Sequence, residues 1–377
     1  MPTPIEIFDS MCKRYRIKRF FPIPANLVDV FNSHSEIMKE QIQEIRSNFV
    51  GRDINIYFDY IDSGILNAFA TIEQGLGIIA FNRGAVLLPK DMFQRMLSHP
   101  EVLSEIGDNS VESMASQFGE GLPMNIDAMH KQRKKNGRPI FPPIPNDETR
   151  RAFAVTITQF AFDFLVIHEL AHIALGHLGY RSCTTSTSTN RPVRIMEASS
   201  TSKSIDDNMI LQAIEYGADN TAVGVTIERI LNKDVVVDPI SAQFFTTIEQ
   251  RLYTWCFGIS GLFHLWGVKI DLANIESSDH PPHAMRYALA INTAKSILQE
   301  MRPDIVPIFL DIANEAIKRT NEAVGLIGGI IIERSDIDPV YSPKGKAHHA
   351  KLRDIWFNEI LPKLRQHSYV HIRDIKI

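Results

Sequence analysis

The feature that most constrains this chain is an apolar helical stretch that carries two histidines and a glutamate. Residues 167–177 read Ile-His-Glu-Leu-Ala-His-Ile-Ala-Leu-Gly-His. In an α-helix, residues four apart differ by about 40° around the axis and by one turn in height, so His168 and His172 share one face. Glu169 is rotated by about 100° and flanks that face. The spacing predicts a metal site with the two imidazoles as ligands.

Glu169 strengthens this interpretation. A chance match inside a buried core helix is the alternative, but a carboxylate buried beside two histidines costs several kcal/mol unless something compensates its charge. A divalent cation provides that compensation. We therefore expect Zn²⁺, one ion per chain. Glu169 would take a proton from the attacking water and pass it to the leaving amine.

A catalytic zinc commonly takes three protein ligands, so a further group must come from another segment. Glu215 and Asp219 lie four residues apart in an apolar helical pattern. We predict Glu215 as the ligand and Asp219 as the acceptor for the outer N–H of a ligand histidine. Two solvated carboxylates on a helix exterior are the alternative. Asp219, Glu197 and His177 also remain open as third ligands.

Composition limits the setting of this site. The 377 residues include 40 lysines and arginines against 44 aspartates and glutamates, a net charge of −4, so nucleic-acid binding is not expected. Three widely spaced cysteines exclude a thiolate zinc site of the Cys-x-x-Cys type and fit a reducing compartment. The most apolar stretches, 152–180, 254–268 and 324–332, are either short or interrupted by polar groups. We predict buried core, no stable membrane insertion and a cytoplasmic location.

The rest of the chain predicts an α+β fold, helix-rich, with a small sheet near the amino-terminal third. Residues 54–60 and 76–81 have strand patterns. Residues 110–145 read as a loop, and so do residues 182–204, in which 12 of 23 residues are serine or threonine. Helical patterns cover residues 12–47, 89–97, 149–179, 204–232, 242–263, 283–301, 304–323 and 351–367. We predict a helical extension over 1–50, a main domain over 51–300 and a second helical extension over 301–377.

Four motifs, spread over about residues 54–289, follow one another in an order that resembles a known peptidase group. They are His168-Glu169-x-x-His172 with His177, Glu215-x-x-Ala218-Asp219, Asn67-Ala68-Phe69-Ala70-Thr71, and His280-Pro281-Pro282 with Arg286. Together they are similar to the gluzincin zinc metallopeptidases of the HtpX and CAAX-prenyl-protease type.

The resemblance implies a zincin-like metalloprotease with a two-helix zinc site formed by His168, His172 and Glu215. It implies Glu169 as the general base, and His280 and Arg286 near the substrate carbonyl, where they would stabilise the oxyanion. His280 could instead only begin the following helix. The strand over residues 76–81 would be the sheet edge that pairs with an extended substrate. The substrate-binding residues implied are Asn67, Ala68, Gly77, Ile78, Ile79 and Ala80.

Two departures from the family pattern favour a soluble relative. The chain has no convincing spanning helix, and the serine- and threonine-rich segment has no family counterpart. The Lit-type phage-exclusion peptidases are soluble intracellular enzymes of similar layout, so a host-defence protease with one protein target is one hypothesis. A zinc-containing binding or sensor protein is another, and a zinc hydrolase of a small non-peptide substrate is a third. The expected partner is a protein or peptide substrate, and the oligomeric state is left open.

Overall fold

A computed structural model gives the architecture of the chain. Of residues 194–196 it describes the backbone alone. The described residues are 2–113, 122, 124–137, 143–184, 194–196, 204–232, 239–240, 242–267, 272–329, 332 and 338–372.

One mixed sheet in the described part of the chain contains the strands β1 (Ile56–Ile61), β2 (Ala68–Glu73), β3 (Leu76–Asn82) and β4 (Arg194–Met196). Their order in the sheet is β1-β3-β2-β4. β2 and β3 are an antiparallel hairpin whose turn, Gln74-Gly75, has both residues at positive φ (51° and 78°), as a two-residue type I′ turn requires. β1 runs parallel to β3, and β4 pairs antiparallel with β2.

The prediction that residues 76–81 form the edge strand is wrong. β3 lies between β1 and β2, and all its residues are buried. Its backbone groups are therefore used on both sides by neighbouring strands, and no substrate can add there. Gly77, Ile78, Ile79 and Ala80 are core residues.

The helices of the described part pack on this sheet and on one another. Their bounds are α1 (Pro4–Tyr15), α2 (Val28–Ser47), α3 (Arg83–Leu97), α4 (Ile126–Lys135), α5 (Glu148–Ala174), α6 (His177–Thr184), α7 (Ile205–Asn232), α8 (Ile248–Trp266), α9 (His283–Met301), α10 (Val306–Gly328), α11 (Pro343–Asp354) and α12 (Leu361–Leu364), with a π-helical turn, Ile355–Ile360, between the last two.

Several predicted boundaries differ from the structure. The helix predicted to run to residue 179 ends at Ala174, because Gly176 (φ +79°) turns the chain into α6. Residues 110–145 are not all loop, since Asn125 caps α4 by accepting hydrogen bonds from the N–H groups of Asp127 and Ala128. The serine- and threonine-rich segment contributes β4; its residues 185–193 and 197–203 lie outside the described residues. These differences leave the prediction of a helix-rich α+β fold confirmed.

α5 is the centre of the core. It begins where the Asp147 side chain accepts a hydrogen bond from the Arg150 N–H, and it packs against α3, α7, α8 and β2. α5 is long and apolar enough to cross a membrane, but 83% of its apolar window is buried inside the protein. This burial is typical of a central core helix.

Both predicted helical extensions contact this central part. α2 packs on α5, and at the other end of the chain the Tyr369 N–H donates to the carbonyl of Ala174, at 2.8 Å. The Ser368 hydroxyl donates to the same carbonyl, at 3.1 Å. The carboxy-terminal segment therefore closes the end of α5 next to the histidines. The division into three domains stays a prediction.

Candidate metal centre

The packing of α5 against α7 brings three predicted ligands together. The Nε2 atoms of His168 and His172 are 3.1 Å apart. Glu215, from α7, reaches both: its Oε2 is 3.2 Å from Nε2 of His168 and its Oε1 is 3.6 Å from Nε2 of His172. One ligand atom from each residue lies within 4.8 Å of the others.

These spacings fit a single tetrahedral cation. Zinc binds nitrogen and oxygen ligands at about 2.0–2.1 Å, so two ligand atoms at tetrahedral corners lie about 3.4 Å apart. The two Nε2 atoms, 3.1 Å apart, are near that value, and each lies 3.2 or 3.6 Å from a different oxygen of Glu215. The side chains are at most 1% exposed. Two imidazoles and a carboxylate are thus held in a cluster that could hold a metal ion, and its three side chains come from two helices.

Asp219 orients His168 through the Nδ1 atom of its ring. Its Oδ1 lies 2.9 Å from Nδ1 of His168, on the ring edge opposite to the cluster. Arg286 donates two hydrogen bonds of 2.8 Å to the same carboxylate. Burial by itself would raise the pKa of Asp219, but the charge and hydrogen bonds of Arg286, together with His168, lower it below its usual value. Asp219 is therefore an ionised acceptor that directs Nε2 of His168 into the cluster.

The position of Arg286 differs from the expectation that it stabilises an oxyanion. Its guanidinium is bound to Asp219 and lies over the rings of Phe263 and Trp266, with centroid distances of 5.1 and 5.7 Å. Its side chain is 1% exposed. Because Asp219 holds it on the outer side of His168, Arg286 supports the orientation of His168.

His177 does for His172 what Asp219 does for His168. The two Nδ1 atoms are 2.9 Å apart, again on the ring edge opposite to the cluster. Burial lowers the pKa of His177 to about 3, so its ring is neutral and can accept the Nδ1–H of His172. Of the rival third ligands, Asp219 and His177 thus lie outside the cluster. Glu197 lies outside the described residues.

Glu169 and His280 complete the group of predicted residues. Glu169 follows His168 on α5 and is 1% exposed. His280 precedes α9, and its Nε2 lies 3.8 Å from Oε1 of Glu215. Its Nδ1 is 2.9 Å from Oδ1 of Asp279, and at 10% its side chain is the most exposed of the site. His280 thus lies next to Glu215 and keeps a small exposed surface.

The sequence did not indicate that Trp356 contacts residues of this site. This tryptophan lies in the π-helical turn and packs edge-on against His177, with ring centroids 5.5 Å apart. Its indole also lies against Gly217, where a Cβ would be only 2.1 Å from a ring atom. Gly217 sits between Glu215 and Asp219, so its lack of a side chain signalled close packing but not the partner.

Ala68 begins β2 and Asn67 immediately precedes it, and their predicted role in substrate binding stays a prediction. The carbonyl of Asn67 accepts a hydrogen bond from the N–H of Asn82 at 3.0 Å, at the end of the hairpin opposite to its turn. Both residues are buried, at 7% and 0% exposure. Ala68 pairs with Phe81 of β3.

Comparisons with protein-family models, with curated proteins and with solved structures find no match for this chain.

Proposed function

We propose that this protein is a zinc-dependent endopeptidase of the gluzincin type. The observation that carries the proposal is the convergence of His168, His172 and Glu215 at spacings suited to one tetrahedral ion, with Glu169 next to the first ligand. The resemblance of the four motifs to the gluzincins supports the same assignment.

The choice of zinc rests on the donor set. Two neutral imidazoles and one carboxylate leave a fourth position open, which is the usual arrangement of catalytic zinc. Calcium and magnesium prefer shells of oxygen ligands, which the described residues here do not offer. When bound, zinc would polarise the scissile carbonyl and lower the pKa of the attacking water.

The residues around the ion would then have separate roles. His168, His172 and Glu215 hold the ion, while Asp219 and His177 fix the two imidazoles through their outer nitrogens. Glu169 accepts the proton of the attacking water and gives it to the leaving amine. His280, whose Nδ1 lies against Asp279, would donate a hydrogen bond from Nε2 to the developing oxyanion of a peptide substrate when its ring is protonated.

A second candidate is a metal-containing binding or sensor protein without hydrolytic activity. The near-complete burial of the ligands favours it, because structural zinc sites are closed whereas catalytic sites must admit water. Glu169 distinguishes the two, since a structural site has no use for a proton acceptor beside the ligands.

The test compares cells that make the wild type with cells that make Glu169→Gln, by proteomic detection of new protein termini. Zinc in both purified proteins is measured by elemental analysis. Glu148→Gln, an exposed change on the same helix, is the control. We expect zinc in all three proteins, and new termini with the wild type and Glu148→Gln only. Full zinc with identical termini would favour the second candidate, and absence of zinc would refute both.

A further inference from the structure

The outer side of β1 is an open edge of the sheet. β3 covers one side of β1, and on the other side the segment around Arg19 pairs with the end of the strand near Ile61. The beginning of β1 has no strand beside it in the described part of the chain. An open strand edge presents backbone donors and acceptors that another chain can use.

The hydrogen bonds at the two ends of β1 show which groups point outward. The carbonyl of Asn55 faces β3, since it accepts the N–H of Gly77 at 2.8 Å, whereas the carbonyl of Tyr60 faces outward and accepts the N–H of Phe20 at 2.7 Å. In a strand these directions alternate with a period of two. Ile56 and Phe58 therefore also point their N–H and C=O groups outward, where the described residues provide no partner.

A groove of about 920 Å³ runs along this open edge. Its opposite wall is the carboxy-terminal half of α2 and the chain that follows. The apolar residues that line it are half-buried and suit alternate side chains of an extended peptide, namely Ile42, Phe49, Ile56 and Phe58.

The charged residues of the groove are mostly basic. The lining includes three basic residues and one acidic residue, namely Lys39, Arg46, Arg52 and Asp53. Arg46 pairs with Asp53 at 2.9 Å. Lys39 contacts Glu36 at 2.7 Å in an exposed pair, which is a weak interaction. Arg52 is exposed and has no ion pair among the described residues. The groove therefore keeps a positive charge.

We propose that this groove binds an extended acidic segment of a partner protein by strand addition to β1. Main-chain hydrogen bonds to Ile56 and Phe58 would give affinity for an extended backbone. Lys39 and Arg52 would select acidic residues. Pairing with a second copy of this chain is disfavoured, because it would bring two basic grooves together. The proposal is independent of the metal centre.

The test measures binding of a fluorescein-labelled peptide of alternating glutamate and valine to the full chain, by fluorescence anisotropy. One control peptide has lysine in place of glutamate, and another has a central proline, which removes a backbone donor. We expect the glutamate peptide to bind and both controls to bind at least about tenfold more weakly, with affinity falling as salt increases.

Charge reversals in the protein locate the site. Lys39→Glu combined with Arg52→Glu should weaken binding of the glutamate peptide by about tenfold or more. Lys318→Glu with Lys344→Glu, two exposed lysines elsewhere, should change it less than about twofold. Equal binding of the lysine peptide, or equal loss in both double variants, would refute the proposal. A further outcome is that the peptide fails to bind while the protein sediments as a dimer that the Lys39→Glu and Arg52→Glu variant no longer forms. In that case the groove would bind a second copy of this chain and not an acidic partner segment.

Discussion

The ion pair of Arg286 and Asp219 determines how His168 presents its ligand atom. Both side chains are 1% exposed, and the guanidinium donates two hydrogen bonds to the carboxylate. A buried carboxylate without its arginine would be an uncompensated charge, which is strongly destabilising. In the proposed metal centre, Arg286 would thus act through Asp219 as a positioning residue.

Glu215 and Asp219 should differ in their effect on zinc binding. Glu215→Gln removes a ligand charge, so we expect zinc affinity to fall by more than about 100-fold. Asp219→Asn removes an outer hydrogen-bond acceptor, for which losses of about 10- to 100-fold are usual. Competition with a coloured chelator measures both affinities. A larger loss for Asp219→Asn would mean that the third ligand is misassigned.

At the scale of elements, α7 can approach the π-helical turn closely because Gly217 has no side chain. The indole of Trp356 occupies the space that a Cβ would need and also contacts the ring of His177. The carboxy-terminal segment therefore helps to hold both the Glu215 helix and the outer partner of His172.

Gly217→Ala should destabilise the protein by about 1–3 kcal/mol, because the new Cβ forces the indole to move. Gly224→Ala is a matched control on the same helix, since its Cβ would meet no atom closer than 4.0 Å. Alanine is the better helix former, so this control should be neutral or stabilising by up to about 1 kcal/mol. Urea unfolding measures both. Trp356→Leu should restore part of the loss in Gly217→Ala; equal effects at the two glycines would contradict the close approach.

At the scale of the whole molecule, Asp163 couples stability to pH. It lies on α5 in a cavity of about 290 Å³ between α2, α5 and α7. Its Oδ1 is buried without a hydrogen-bond partner in the described part of the chain. Burial raises its pKa to about 7, with Arg229 opposing the rise and Glu40 and Glu44 adding to it. The folded protein therefore holds a proton that the unfolded chain releases near pH 4.

This proton linkage has a definite sign. Between about pH 4 and 7 the folded state binds more protons at Asp163 than the unfolded state, so the free energy of unfolding falls as pH rises and levels off above pH 7. Asp163→Asn mimics the protonated form. Its gain in stability should be larger at pH 8 than at pH 4.5, by about 1–2 kcal/mol after allowance for partial exposure. Urea unfolding at both pH values tests this; Asp311→Asn, exposed on α10, is the control. An equal gain at both pH values would contradict the prediction.

What could be predicted from the sequence was local. The shared face of His168 and His172, and that of Glu215 and Asp219, follow from residues four apart on one helix. β1, β3 and most helices follow from periodicity in the same way, whereas β2 and β4 were not predicted as strands. The break after Ala174 was missed because a glycine inside a helical pattern does not by itself show a turn. The helix α4 was missed because its sequence is mostly polar and charged.

The sequence by itself determined which side chains share a helix face, because that geometry needs only the rise and rotation of consecutive residues. The tertiary structure decided which faces meet. It placed Glu215 in the cluster and His177 and Asp219 outside it, bound Arg286 to Asp219, put β3 inside the sheet and brought Trp356 against Gly217. These contacts join segments far apart in the chain, and their choice depends on how whole helices and strands pack to bury apolar surface.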